Sequence, residues 1–133
     1  MTTMERSTRN PVDAFLDAAR SASILSTQAW SDDCVIDATV PNWRFQLTGS
    51  REIRQVLSRW FADRASFAEL RRQALPDGEL VEFLLTWTEH GIPHAAHQVH
   101  IITVRDGRIA AQTIFCGGRW PADLLAEMAE AAR

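Results

Sequence analysis

Apolar residues in this chain keep two spacings: three to four residues apart toward the start, two apart from Phe67 onward. Pro11 opens a helical pattern in which Val12, Phe15, Leu16 and Ala19 share one stripe, and Ile24, Leu25 and Trp30 extend the apolar face beyond Ser21 and Ser23. The first third is therefore predicted to be helical. Asp32-Asp33 punctuate it, and Cys34 to Val40 reads as a strand that stops at Pro41-Asn42. After Gly49-Ser50, helical spacing returns in Ile53, Val56, Leu57, Trp60 and Phe61, with Ser50 as the expected N-cap and arginines on the opposite face.

From Phe67 the period is two. Phe67–Leu70, Leu80–Glu89, His97–Arg105 and Arg108–Cys116 are separated by Pro76-Asp77-Gly78, His90-Gly91-Ile92-Pro93 and Asp106-Gly107, the pattern of an antiparallel meander. A last amphipathic helix follows Pro121, carried by Leu124, Leu125 and Met128, with Pro121 suited to its first position. Helices, a short strand, a helix and then long antiparallel strands make an α+β order without βαβ alternation. Neither a G-x-G-x-x-G nor a P-loop run occurs, and no cofactor is expected.

A chain of 133 residues suits one hydrophobic core, so residues 11–133 are taken as a single domain after a disordered polar tail, residues 1–10. All fourteen basic residues are arginine and the net charge is -3, which leaves no cationic surplus for nucleic acid or an anionic membrane. The start lacks the apolar stretch of a signal peptide and no run is long enough to span a bilayer, so a cytoplasmic location is expected. Cys34 and Cys116 lie far apart in apolar surroundings and are expected to be reduced, structural thiols.

Three short runs carry a resemblance: Trp30-Ser31-Asp32-Asp33-Cys34-Val35-Ile36-Asp37, Leu47-Thr48-Gly49-Ser50-Arg51-Glu52-Ile53 and Val104-Arg105-Asp106-Gly107-Arg108-Ile109. With them the chain resembles the SnoaL-like branch of the nuclear transport factor 2-like superfamily, which includes ketosteroid isomerases, polyketide cyclases and scytalone dehydratase. The resemblance implies a cone: a curved antiparallel sheet packed with N-terminal helices around a pocket. It sets Ala38 at the position of the isomerase base and Phe15 at that of its tyrosine, and neither can move a proton. It sets His100 where the isomerases keep a protonated aspartate.

If Glu89 opposes His94 across the loop, alternation puts Phe83, Leu85, Trp87 and Glu89 on one face with His94, Ala96, Gln98, His100 and Ile102. That face is expected to line the pocket. The other, with Leu84, Thr86, Thr88, His97, Val99, Ile101 and Thr103, is expected to be convex and to make a homodimer. The last hairpin has two registers. A two-residue Asp106-Gly107 turn points Ile109, Ala111, Thr113 and Phe115 inward; a three-residue loop with Gly107 in a bulge points Gln112, Ile114 and Cys116 inward, and the resemblance favours the second.

His100 is the candidate catalyst, a proton shuttle among apolar neighbours whose desolvation would tune it. The candidate binding set is Trp43, Phe83, Leu85, Trp87, Gln98, Ile102, Gln112, Ile114 and Cys116, which suits a small apolar molecule bearing an oxygen or two. His94, His97 and His100 would share a face only on a helix; a strand turns His97 away, so no metal site is expected. Trp30 and Trp60 are expected in the core, Asp37 away from the cavity, and Glu89 at its mouth, paired with His94 or solvated. Two functions fit. One is an isomerase, cyclase or dehydratase using His100; the other is a non-catalytic binder, or a partner like the small subunit of ring-hydroxylating dioxygenases, which shares this architecture.

Overall fold

A computed structural model describes residues 10–133. The expected tail therefore lies outside the described residues except for Asn10, whose side chain accepts the Val12 N–H at 2.8 Å and caps α1, Pro11–Ser21. Pro11 occupies the first turn, where its missing N–H costs nothing. Val12, Phe15, Leu16, Ala18 and Ala19 bury the apolar stripe. The helix does not continue to Trp30 as expected. Ala22 turns left-handed (φ 58°) and stops it, a 3-10 turn over Ile24–Ser26 buries Ile24 alone, and Leu25 is left 60% exposed.

Trp30 instead begins β1, Trp30–Val40, which absorbs Asp32-Asp33 where its register against β6, Arg108–Cys116, shifts between Trp30 and Val35. β2, Trp43–Thr48, was not expected. It returns along β1 after Pro41-Asn42, with Asn42 at φ 76°. The helix α2, Ser50–Trp60, buries Ile53 and Leu57, but its N-cap is Gly49 at φ 89°, not Ser50. Ser50 sits one residue inside and accepts from Arg54 Nε at 3.2 Å, while Glu52 Oε1 reaches back to the Thr48 N–H at 2.8 Å.

The meander follows as β3, Ala65–Leu75; β4, Gly78–Glu89; β5, Ile92–Arg105; and β6. A two-residue strand β7, Trp120–Pro121, pairs with β5 and leads into α3, Ala122–Ala131, so Pro121 precedes that helix as its cap. Strand order is β2-β1-β6-β5-β4-β3, and every pairing is antiparallel except β1 with β6. The result is a curved, unclosed sheet with α1 and α2 packed on its inner side.

Two hairpins fix which residues face inward. At His90-Gly91 both residues have positive φ, Glu89 opposes Ile92, and Trp87 opposes His94. The expected Glu89–His94 pairing is thus two residues out of register. An even shift preserves the faces, so Phe83, Leu85, Trp87, Ala96, Gln98, His100 and Ile102 do share the inner side. At the last hairpin Asp106-Gly107 is a two-residue turn (φ 55° and 77°), yet Val104 opposes Ile109 while Thr103 opposes Ala111. The bulge lies at Ala110 rather than Gly107. Ile109 and Ala110 are both buried, and beyond them Gln112 and Ile114 turn inward.

Candidate functional site

The inner side of the sheet divides along the strands into a sealed end and an open end. At the sealed end α1 lays Phe15 over the sheet, 5.5 Å from the Trp30 ring and 5.2 Å from His100. Phe83 stacks on the other side of His100 at 5.2 Å. The imidazole is 0% exposed, and burial alone pulls its pKa from 6.5 to about 3. Its nitrogens are both engaged: Nε2 with Gln98 Oε1 and Nδ1 with Gln112 Nε2, each at 2.8 Å. Gln112 Oε1 in turn accepts the Trp30 Nε1–H at 2.8 Å. The group expected to exchange protons near neutrality is a neutral, fully bonded part of the core.

At the open end the sheet splays and a cavity of about 590 Å³ forms. β2 gives it Trp43, Phe45 and Leu47; the last two turns of α2, with Phe61 just beyond, give Val56, Arg59, Trp60 and Phe61. Leu85 and Trp87 come from β4, Ala96 and Gln98 from β5, Cys116 from β6, and Arg119 from the following loop. Phe45 bridges Trp43 at 5.7 Å and Trp60 at 6.1 Å, which builds an aromatic wall. Gln98, 4% exposed, belongs to both ends: its oxygen is held by His100, and the residue reaches the cavity. The Cys116 thiol is pushed up by burial and accepts the Gly118 N–H at 3.4 Å, while Cys34 is buried outright and pushed up to about 12; both thiols are free.

Five of the expected binding residues therefore meet in the cavity: Trp43, Leu85, Trp87, Gln98 and Cys116. Phe83, Ile102, Gln112, Ile114 and His100 do not. They are 0–2% exposed and form the packed floor behind it, because Phe15 and Phe61 close the narrow end of the cone. Trp30 is core as expected; Trp60, expected with it, packs half-buried against the core and also lines the cavity. Phe45 and Leu47 were missed with their strand, although Trp43-Arg44-Phe45-Gln46-Leu47 alternates in period two.

The charged candidates resolve differently. Glu89 accepts from the Trp87 indole at 3.1 Å and from Arg119, whose guanidinium lies 5.3 Å over the Trp87 ring; these partners hold its carboxyl below the usual range. His94 stacks on Trp87 at 5.6 Å instead of bonding Glu89. His97 points outward to Glu82 at 2.8 Å, so the three histidines do not converge. Asp37 also faces outward, paired with Arg44 at 2.6 Å. A second cleft, of about 700 Å³ beside α1 and Asp106-Gly107, is lined largely by polar and small groups.

No family model and no curated protein matches the sequence. Solved structures do. A Bacillus subtilis protein provisionally assigned as an isomerase matches at 17% identity over 88% of this chain and 90% of its own, with a TM-score of 0.67. A nuclear transport factor 2-like protein from Anabaena variabilis matches at 11% identity over 81% and 84%, TM-score 0.67. This chain has the nuclear transport factor 2-like fold. A Mycobacterium tuberculosis LEH-like epoxide hydrolase shares it at 21% identity over 80% and 79%, TM-score 0.60. At such identities the nuclear transport factor 2-like fold is what these proteins have in common with this one, and the chemistry must be argued from the cavity. No helix among the described residues is long and apolar enough to cross a membrane.

Proposed function

We propose that this protein binds a small apolar molecule, a ring or short chain bearing one or two oxygens, in the open aromatic end of the cone. The observation that carries the proposal is the cavity itself: aromatic and aliphatic walls around one buried polar tip, Gln98. Solved neighbours of the same fold include an LEH-like epoxide hydrolase and provisionally assigned isomerases, which supports a small-molecule pocket. Binding is favoured over proton transfer by His100. Isomerase, cyclase or dehydratase chemistry needs a group at the wall that exchanges a proton near neutrality. The lining offers two arginines and a thiol whose pKa burial raises, while His100 lies behind the wall.

Native mass spectrometry against a panel of small oxygenated ring compounds tests the proposal. One-to-one complexes are expected, and Cys116→Phe, which fills the cavity from its side, should abolish them while the thermal midpoint holds. Complexes that survive this substitution would place the ligand elsewhere.

The partner proposed is a second copy of this chain. On the outer face Phe115 (47% exposed) lies opposite Val99, beside Ile101 (40%), and the apolar middle is flanked by Arg44–Asp37 on one side and Arg71–Glu82 on the other. An apolar centre within a charged rim suits a two-fold interface. Sedimentation equilibrium should show a dimer that Phe115→Glu dissociates; a wild-type monomer at tens of micromolar would count against it.

A further inference from the structure

The polar tip of the cavity has a direction, and Trp30 sets it. An indole Nε1–H can only donate, so its partner on Gln112, 2.8 Å away, is the carbonyl oxygen Oε1. Gln112 therefore turns its amide hydrogens to His100 Nδ1, also at 2.8 Å, and that nitrogen must offer a lone pair. The ring lies between Phe15 and Phe83 with no carboxylate against it, so it is neutral and its single proton sits on Nε2. Nε2–H then donates to Gln98 Oε1 at 2.8 Å. Reversing any member would leave the Trp30 N–H, or its neighbour in the chain, buried and unmet; as arranged, no buried side-chain polar atom among the described residues lacks a partner.

With its oxygen taken by His100, Gln98 has only amide N–H groups left for the cavity. The other strong polar groups at the lining, Arg59 and Arg119, are also donors only. Glu89 does not offset them: it lies outside the lining, and its Oε1 takes both the Trp87 indole and Arg119. Cys116 Sγ is a weak acceptor, engaged by the Gly118 N–H and by the Gln98 amide, and so holds that amide at the cavity edge without offering an acceptor of its own.

We propose that Gln98 is a specificity-determining donor, oriented by Trp30 through Gln112 and His100, and that the cavity selects molecules presenting an acceptor oxygen over molecules of the same shape that offer only an N–H. Ketones, esters and ethers belong to the favoured class. Pyrrole-type N–H rings belong to the rejected one, because they would bury their own donor without a partner and leave Gln98 only its weak contact with the Cys116 thiol. The proposal rests on the cavity being a small-molecule site.

Two bicyclic rings of similar size separate the possibilities: 1-indanone, which only accepts, and indole, whose N–H only donates. Calorimetry on the wild-type protein should give about tenfold tighter binding of 1-indanone, the scale expected when a buried hydrogen bond is lost. Gln98→Leu should erase the preference, and Gln98→Glu, which turns an acceptor toward the cavity, should reverse it. The orientation itself is read without ligand: long-range proton–nitrogen spectra of His100 should show the proton on Nε2, and Trp30→Phe should free the ring to sample both tautomers. Equal wild-type affinities, or a preference for indole, overturn the proposal while leaving the small-molecule site standing. A proton on Nδ1 overturns the direction of the chain whatever binds. If neither ring binds, the small-molecule reading fails and the selectivity proposal fails with it.

Discussion

Gln98 and His100 are two residues apart on the same strand and the same face, yet one reaches the cavity and the other is 0% exposed. The difference is depth along the cone. Over His100, α1 supplies Phe15, and Phe83 closes the other side. Over Gln98 no side chain fills the equivalent space, because β2 and the end of α2 stand back and present rings edge to face around a void. The sealed end thus holds its polar groups by bonding them to one another, and the open end leaves donors, Gln98 the buried one among them, for a guest.

The tryptophans of the two ends give the largest contrast. Trp30→Ala empties a fully buried site and strips Gln112 of its donor, so urea unfolding should show a loss of about 3–5 kcal/mol. Trp43→Ala, at a ring 66% exposed, should change stability by less than about 0.5 kcal/mol and weaken ligand binding instead. Similar losses from both would erase the distinction between the ends.

A more gradual effect, smaller at each pH step than the loss of Trp30, should appear with pH. Burial holds His100 in the folded protein at about 3 against an ordinary 6.5, so as pH falls the unfolded chain takes the proton first. This contribution to stability is complete above pH 6.5, declines by at most about 1.4 kcal/mol per pH unit below it, and is lost by pH 3. Carboxylates held low by arginine, such as Glu79, act in the same direction but only below their ordinary 4.5. Between pH 6.5 and 4.5 the slope should therefore flatten in His100→Gln relative to wild type. Parallel curves would mean that His100 is solvated.

Much of the fold was legible in the sequence. Alternation from Leu80 to Cys116, broken by pairs that accept positive φ, marks hairpins whose faces survive even a two-residue error in register. β2 was missed although Trp43, Phe45 and Leu47 alternate, because three apolar residues on a six-residue edge strand are too short a run to decide its type, and only Leu47 is buried. The site was only half legible. Alternation assigns His100, Gln98 and Ile102 to one face, but which of them a helix covers depends on where Phe15 and Phe61 land, and no local pattern encodes that. Trp60 was half legible for the same reason: helical spacing puts it inward against the core, and cannot say that it also borders a cavity.

A guest at the open end should touch Gln98 without entering the layer around His100. Proton–nitrogen spectra recorded during a titration with 1-indanone test it in one experiment, since indole N–H groups and the Gln98 amide report separately on each end. The Trp60, Trp87 and Gln98 signals should move with a common dissociation constant while the Trp30 indole stays in place. Movement led by Trp30 and the His100 ring, with Trp60 and Gln98 unaffected, would contradict it.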